Sequence, residues 1–178
     1  MCQGAAVPVA PVRTAEVDPA ADAGLAAELR ALQRAAYAVE AALIGDDRIP
    51  PLHEELAQLT AAPLRWLGAF LGDRLVGAVA WTADGERVDV DRLVVDPARH
   101  RSGVGAALVR AVLDRAEGRP VTVSTGRDNT PARRLYERAG FVVTGEREVL
   151  PGLWVSSYAH SGDELTVLPW EHTGPDPG

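Results

Sequence analysis

One segment of the chain, DRLVVDPARHRSGVGAALV at residues 91–109, joins an apolar strand to an apolar helix through a basic loop. The helix begins beside Gly103 and Gly105, and its apolar side chains recur at helical spacing: Val104, Leu108, Ala111 and Val112. It leads into the short strand PVTVSTG, residues 120–126. A strand, a helix and a second strand in this order predict a right-handed crossover between two parallel strands. The segment therefore predicts an α/β fold.

The rest of the chain adds further strands and a pair of helices. In order, we predict a strand in VRTAEV, an amphipathic helix from Ala21 to Ile44, a helix in RIPPLHEELAQL, a hairpin in LRWLGAFLGDRLVGAVAW that turns at Gly72-Asp73, and strands in FVVTGEREVL and GLWVSSYAH. Pro50 and Pro51 are expected in the first turn of the second helix. The element order is β-αα-βββ-α-β-α-ββ around a mixed sheet.

The length and apolar content predict one domain. The chain has 178 residues, of which 47% are apolar, enough to bury a sizeable core. We assign this domain to residues 12–160. Residues 1–11 are expected to form a flexible tail, and residues 161–178 a C-terminal extension whose Pro- and Gly-rich end is disordered.

The charge and cysteine content exclude several functions. A net charge of −7 argues against nucleic-acid and anionic-membrane partners and favours cationic ligands such as amines. We find neither a signal peptide nor a run of apolar residues long enough to cross a membrane. The only cysteine, Cys2, supports neither a disulfide framework nor a Cys-based metal site. These features predict a cytoplasmic protein, and no metal is expected, since the histidines lack metal-ligand spacing.

The basic loop before the helix that begins beside Gly103 and Gly105 has the features of an anion site. Backbone N–H groups at a helix N-terminus attract anions, and Gly103 and Gly105 would let a pyrophosphate approach them closely. Arg99 and Arg101 add positive charge. A simple strand-turn-helix connection is the alternative. The third glycine of a Rossmann fingerprint and the Gly-Lys-Ser/Thr of a P-loop are both missing here.

A second informative stretch is STGRDNTPARRLYERAGF, residues 124–141. Asn129 or Thr130 would cap a helix with Pro131 in its first turn. Asn129 and Tyr136 are seven residues apart, roughly two helical turns, so both could face one cleft. Alternatively, Asn129 is an ordinary cap and Tyr136 an ordinary half-buried aromatic residue.

Together the two stretches and the element order resemble the GNAT superfamily of N-acetyltransferases over about residues 12–160. The first resembles its Arg/Gln-x-x-Gly-x-Gly/Ala pyrophosphate loop. The second resembles its Asn-x-x-Ala-x-x-Leu-Tyr-x-x-x-Gly-Phe helix, here Asn129, Ala132, Leu135, Tyr136, Gly140 and Phe141. The resemblance implies a mostly antiparallel sheet with helices on both faces and two splayed parallel strands at its centre.

The resemblance also implies where acetyl-CoA, the co-substrate, would bind. It would lie in a V-shaped opening between the strand that ends at Val95 and the strand that ends at Thr125. The implied contacts are the backbone of Leu93, Val94 and Val95 for the pantetheine, the loop Arg101, Ser102, Gly103, Val104, Gly105 and Ala106 for the pyrophosphate, and Asn129 for the CoA arm. His100 stands where the family pattern has Arg or Gln. Ser124 stands near the place of a glutamate base in some members, so we expect no base there.

Three residues are predicted to act in catalysis. In the resemblance, Tyr136 would hydrogen-bond or protonate the leaving thiolate. Asp89 and Asp91 alternate with Val88 and Val90 along one strand, so we expect them to share a face with Leu93 and Val95. Asp91 would take the proton of the acceptor amine, with Asp89 raising its pKa by repulsion. An ion pair of these carboxylates with Arg87 or Arg92 is the structural alternative.

Other acidic residues are predicted to be solvated. Glu40 lies at the edge of the apolar stripe of the first helix, and Glu54 and Glu55 lie at the start of the second. We interpret Glu40 as a helix-edge residue rather than a substrate contact, and Glu54 and Glu55 as solubilising charges that favour the helix dipole.

The sequence thus predicts an acetyl-CoA-dependent N-acetyltransferase whose acceptor is the amine of a small molecule or peptide, attacked directly in a ternary complex. The alternative is a non-catalytic acyl-CoA-binding regulatory domain. A nucleotide-binding enzyme is a weaker third hypothesis. A homodimer stays open.

Overall fold

The fold was analysed in a computed structural model that describes residues 11–162. The strands are β1 Arg13–Val17, β2 Arg65–Leu71, β3 Arg74–Ala83, β4 Val88–Val95, β5 Val121–Gly126, β6 Val142–Leu150 and β7 Leu153–His160. The helices are α1 Ala23–Ile44, α2 Leu56–Ala61, α3 Val104–Ala116 and α4 Thr130–Arg138. The predicted order of elements is confirmed.

The strands form one seven-stranded sheet in the order β1-β2-β3-β4-β5-β7-β6. The parallel pair is β4 with β5, and the other neighbours are antiparallel. Because α3 connects β4 to β5, the predicted crossover and the mixed, mostly antiparallel sheet are confirmed.

Helices cover both faces of the sheet. On one face, α1 and α2 pack against β3 through a core that includes Leu29, Tyr37, Leu59 and Ala78. On the other face, α3 and α4 bury a larger cluster that includes Leu108, Val112, Trp81 and Tyr136. Gly77 of β3 lets α3 approach closely, since a Cβ atom there would lie 2.7 Å from the Cγ1 atom of Val104.

The second helix begins later than predicted. Pro50 and Pro51 lie in a separate 3₁₀ turn, Pro50–Leu52, and α2 starts only at Leu56. Between them, the Glu54 side chain turns inward and accepts a hydrogen bond from the Gln33 side-chain amide at 2.8 Å. The Gln58 side chain then accepts the N–H of Glu55 at 2.8 Å and caps α2.

The two parallel strands are paired over three residues only. Val88–Val90 lie opposite Val121–Val123, and beyond them the strands diverge, while residues 124–126 of β5 continue to pair with β7. The sheet therefore splits at its centre toward the C-terminal ends of β4 and β5. This is the V-shaped opening that the family resemblance implied.

Two predictions concern the chain ends. The flexible tail at residues 1–11 and the extension at residues 161–178 lie almost wholly outside the described residues.

Within residues 11–162, no helix is both long and apolar enough to cross a lipid bilayer. In the same range, no three His, Cys, Asp or Glu side chains are arranged to hold a metal ion.

Candidate functional site

Backbone groups of β4 line one side of the opening. Asp96 donates its N–H to the carbonyl oxygen of Val76 at 2.9 Å, so it points toward β3. Backbone groups alternate between the two edges of an antiparallel strand. Leu93 and Val95 therefore direct their N–H and C=O groups to the open edge, whereas those of Val94 face β3. Two of the three predicted pantetheine-binding residues thus have free backbone groups in the opening.

The start of α3 presents unpaired N–H groups. Among the described residues, no protein acceptor receives the N–H groups of Gly103, Val104, Gly105 and Ala106; the first helical bond runs from Ala107 to the Gly103 oxygen at 3.0 Å. These groups and the helix dipole favour an anion. Arg101 and Ser102 are exposed beside them, and the Ser102 hydroxyl donates to the Arg99 carbonyl.

The two glycines of this loop have different roles. Gly103 has a φ of +85°, which favours glycine, and nothing lies within 4 Å of the place where its Cβ would be. A Cβ atom on Gly105 would lie 3.1 Å from Cδ2 of Leu135 in α4. Gly103 therefore keeps the helix start uncovered, whereas Gly105 lets α3 and α4 approach.

A cavity of about 90 Å³ lies where the opening meets α1 and α4. It is lined by Tyr37, Glu40, Asp91, Arg92, Leu93, Val123, Ser124, Thr125, Asn129, Ala132, Leu135 and Tyr136. The predicted site residues Asp91, Leu93, Asn129 and Tyr136 are thus brought together, and Asp89 is not among them. A larger depression of about 570 Å³ at residues 41–48 is open surface without these groups, so we place the chemistry in the smaller cavity.

Tyr136 lies at the wall formed by α4. Its side chain is packed against Phe141 and Tyr158, with ring centroids 5.6 Å and 6.0 Å apart, and it is only 5% exposed. Burial and, to a smaller extent, the negative charge of Glu40 raise the pKa of Tyr136. The phenol therefore stays neutral and can donate a hydrogen bond into the cavity.

A β-bulge at Asp91 changes the direction of the β4 side chains. Val90 lies opposite Trp81, but Arg92 lies opposite Ala80, so Asp91 is an extra residue without a partner on β3. Val90 accordingly packs in the core on the α3 face, whereas Arg92 points to α1. Asp91 itself lies at the bulge and lines the cavity.

The prediction that Asp89 and Asp91 share a face with Leu93 and Val95 is wrong for the same reason. Strict alternation would place both on the face of Leu93 and Val95, but the bulge shifts the pattern after Val90. Leu93 and Val95 pack on the α3 face, together with Val90. Asp89 lies on the opposite face, away from the cavity, where it accepts a hydrogen bond from the Thr122 hydroxyl.

Asp91 is the outer member of a buried charged network. Its carboxylate lies 2.6 Å from Nε of Arg92, the ion pair that the sequence left open as the structural alternative. Arg92 also donates to Glu54 at 2.5 Å and to Gln33 at 3.0 Å. Burial lowers the pKa of Arg92, but its bonds to Glu54 and Asp91 outweigh this effect and raise it overall. Arg92 therefore stays charged.

The prediction that Glu54 is a solubilising charge is wrong. Its side chain is only 14% exposed and joins Arg92 to Gln33 beneath α1. Glu55 is exposed, as expected, and pairs with Arg30 at 2.8 Å. No local sequence signal distinguishes the two neighbours.

Glu40, which the sequence analysis interpreted as a helix-edge residue rather than a substrate contact, is a further functional candidate. It lines the cavity, and burial raises its pKa, an effect that the Asn129 side chain and the Gly126 backbone oppose. Tyr37 and Ile44 flank it at helical spacing and face the same side of α1. That spacing was visible in the sequence, but the cavity beneath it was not.

Comparison with known proteins identifies the family. The family described as "Acetyltransferase (GNAT) family" matches residues 27–141, more than half of the chain. The chain belongs to the GNAT acetyltransferase family. The resemblance drawn from the two motifs is confirmed, and the matched range includes most of α1, the bulge, the anion loop and α4.

Relatives and solved structures agree with this assignment. A Bacillus subtilis protein named "UPF0157 protein YqkA" is 34% identical over 77% of this chain and 40% of its own length. A "Mycothiol acetyltransferase" of Clavibacter sepedonicus is 37% identical over 88% of this chain and 55% of its own length. The chain thus spans about half the length of these relatives. The ribosomal-protein-S18-alanine N-acetyltransferase of Escherichia coli has the same fold, with a TM-score of 0.68 at 14% identity, covering 86% of this chain and 96% of that one.

Proposed function

We propose that this chain is an acetyl-CoA-dependent N-acetyltransferase that forms a ternary complex with its acceptor amine. The observation that carries the proposal is the split between β4 and β5, which has free backbone groups at one end and Tyr136 at the other. A single extended ligand could contact the free backbone groups and Tyr136 at the same time. Acetyl-CoA has the polar arm, the pyrophosphate and the reactive thioester in the required order.

The acyl donor would bind mainly to the backbone. The pantetheine amides would pair with Leu93 and Val95, as a strand pairs with an open sheet edge. The pyrophosphate would accept the N–H groups from Gly103 to Ala106. Since these contacts use backbone atoms, His100 in place of the usual Arg or Gln is tolerable. Asn129 uses its side-chain oxygen to cap α4, at 3.2 Å from the Ala132 N–H, and its amide group remains for the cavity.

Positioning supplies most of the expected rate enhancement. Holding an amine and a thioester in line lowers the barrier by about 7 to 11 kcal/mol, whereas acid-base catalysis adds roughly 10²- to 10⁴-fold. Tyr136 would donate a hydrogen bond to the sulfur as negative charge develops there. Full proton transfer is disfavoured, because the raised pKa of Tyr136 lies above that of a thiol, about 8.5.

The acceptor side of the cavity is acidic. Asp91, whose carboxylate lies 2.6 Å from Nε of Arg92, would attract the acceptor ammonium. The acceptor would be an amine of a small molecule or peptide, entering between α1 and the bulge. We further propose a cytoplasmic protein, in keeping with its single cysteine. Homodimer formation stays a prediction.

The rival function is an acyl-CoA-binding regulatory domain without chemistry. Both functions predict acetyl-CoA binding, so binding alone does not separate them. The test is thiol release from acetyl-CoA in the presence of polyamines, aminoglycosides and lysine- or alanine-initiated peptides. Release that depends on one amine class supports the enzyme. Tight acetyl-CoA binding by calorimetry with no amine-dependent release would support the regulatory domain.

A further inference from the structure

A carboxylate from α1 reaches the end of β5 inside the cavity. Gly126 ends β5, and a Cβ atom there would lie 3.3 Å from Oε1 of Glu40 and 3.2 Å from Cγ2 of Ile44. The missing side chain of Gly126 therefore makes room for the Glu40 carboxylate. Asn129 borders the same place, since a Cβ atom on Gly126 would lie 3.7 Å from the Cβ atom of Asn129.

The surroundings of Glu40 leave it without a cationic partner among the described residues. The titratable groups that face the cavity with it are Tyr37 from α1, Asp91 and Arg92 from β4, and Tyr136 from α4. Arg92 is taken by Glu54 and Asp91. No such ion pair is found for Glu40, whereas Asp91 lies 2.6 Å from a guanidinium.

This contrast decides which carboxylate can take a proton. A carboxylate held by a guanidinium is stabilised as an anion and is a weak base. A carboxylate in a partly desolvated cavity binds a proton more readily, and an ammonium would be its natural counter-ion there. Resting on the proposed function, we infer that Glu40 is the general base that removes a proton from the acceptor ammonium, while Asp91 helps to hold that ammonium.

The proton balance of the step is complete. One N–H proton of the acceptor ammonium passes to a Glu40 oxygen, directly or through one water molecule, and the nitrogen lone pair becomes free. The nitrogen then attacks the thioester carbonyl carbon, so that the C–N bond forms and the C–S bond breaks with its electron pair on sulfur. The second N–H proton goes to the sulfur through water, while the Tyr136 hydroxyl donates a hydrogen bond to the sulfur, and Glu40 releases its proton to solvent.

The test is the variant Glu40→Gln, with Glu28→Gln as its control. Glu28 lies on the same helix but is exposed and far from the cavity. With an alkylamine from the panel at pH 7, we expect Glu40→Gln to lower kcat/KM by about 10²-fold or more and to remove the acidic limb of its pH profile. Glu28→Gln should leave both unchanged. Acetyl-CoA affinity should be retained in both variants.

A second acceptor separates base catalysis from positioning. Hydroxylamine is mostly neutral at pH 7 and needs no base to free its lone pair. We expect Glu40→Gln to lower kcat/KM with hydroxylamine by less than about 10-fold. This loss is smaller than the loss of about 10²-fold or more that we expect with an alkylamine. Gly126→Ala, which would push on the carboxylate without removing it, should lower kcat with the alkylamine by an intermediate factor.

Folding provides an independent check of the variant. Because the pKa of Glu40 is raised in the fold, the carboxyl contributes stability below its unfolded pKa, and this stability is lost as the pH rises through its folded pKa. At neutral pH the variant Glu40→Gln should therefore unfold at the same or a higher temperature than the wild type. If the variant is inactive because it is unfolded, this interpretation of the environment of Glu40 is wrong.

The outcomes distinguish the inference from the proposed function. If the wild type releases no thiol with any amine, the proposed function fails. If the wild type is active, and the Glu40→Gln variant is folded and keeps the acidic limb of the pH profile, only the assignment of Glu40 fails. An equal loss with the alkylamine and with hydroxylamine would also contradict it, because that result is expected for a residue that positions the acceptor.

Discussion

The two halves of the cleft are built from different parts of the polypeptide. The coenzyme-facing half consists of β4, α3 and α4, and it offers mainly backbone groups: the open edge at Leu93 and Val95 and the N–H groups from Gly103 to Ala106. The acceptor-facing half consists of α1, the 3₁₀ turn, α2 and the bulge of β4 at Asp91 and Arg92, with side chains of Glu40, Gln33 and Glu54 directed inward.

This difference predicts that the two halves respond differently to substitution. A backbone site requires only a local conformation, so a few glycines and a helix start are sufficient. A side-chain site requires particular residues from elements far apart in sequence, and each can be exchanged to suit another acceptor. We therefore expect damage to each half to have a distinct signature.

The largest effect should come from breaking the buried network of the acceptor-facing half. Arg92→Met would leave Glu54 buried without its cation. Removing one partner of a buried ion pair typically costs about 3 to 5 kcal/mol of unfolding free energy. Chemical denaturation should show a loss of this size. At temperatures where the variant is folded, its acetyl-CoA affinity should be close to wild type.

The exposed pair of the same segment provides the control. Glu55 is 72% exposed and pairs with Arg30. Glu55→Gln should cost less than about 1 kcal/mol, as is typical for surface ion pairs. Similar losses for Arg92→Met and Glu55→Gln would show that burial of the network is not what stabilises this half.

The coenzyme-facing half should be most sensitive at Gly103. Gly103→Val places a β-branched residue at a φ of +85°, which favours glycine, and would turn the first N–H groups of α3 away from the pyrophosphate. We expect acetyl-CoA affinity to fall by about 10²-fold or more, roughly 2.7 kcal/mol. Titration calorimetry measures it directly.

A matched glycine tests whether backbone strain alone explains that loss. Gly152, in the turn between β6 and β7, has a φ of +81° and also has open space around its Cβ position. Gly152→Val should destabilise the fold to a similar degree and leave acetyl-CoA affinity unchanged. Unchanged affinity in a folded Gly103→Val protein would remove the pyrophosphate from this loop.

Tyr136 lies where the two halves meet, and its hydroxyl should affect turnover rather than coenzyme binding. Tyr136→Phe retains the packing against Phe141 and Tyr158. We expect kcat to fall by about 10- to 10³-fold, as for a lost transition-state hydrogen bond, with acetyl-CoA affinity retained. Steady-state kinetics with the best amine would measure the fall. Wild-type turnover would make Tyr136 a structural residue.

The same contrast explains what could be predicted from the sequence. The strand pattern and the Gly-x-Gly helix start predict the order of elements and the parallel crossover, because both depend on local periodicity and turn chemistry. The opening was implied by the family resemblance. The motif from Asn129 to Phe141 locates α4 and Tyr136. These are the features that short segments encode.

The acceptor-facing half could not be predicted in this way. The bulge at Asp91 arises from pairing with β3, and it invalidated a face assignment that strict alternation of Asp89 and Asp91 had supported. Glu54 and Glu40 have ordinary helix-edge surroundings in the sequence. Their inward direction depends on Arg92 and Gly126, which are distant along the chain.

The smallest effects should distinguish the two aspartates of β4. Asp91→Asn should raise KM for a cationic acceptor by less than about 10-fold, because it removes attraction but no bond-making group. The acidic limb of the pH profile should persist, since Glu40 is retained. Asp89→Asn, which affects only the bond to Thr122, should leave the kinetics unchanged. A shift of the acidic limb of the pH profile in Asp91→Asn would indicate that Asp91 is the base.

The most direct test of the account is to follow the acyl group itself. Acetyl-CoA with a ¹³C-labelled acetyl group would be incubated with the protein and the best amine of the panel, and the products analysed by mass spectrometry. The account predicts one labelled N-acetyl group on the amine for each thiol released, with Glu40→Gln slowing both equally. Thiol release accompanied by labelled free acetate, with the amine unmodified, would contradict it.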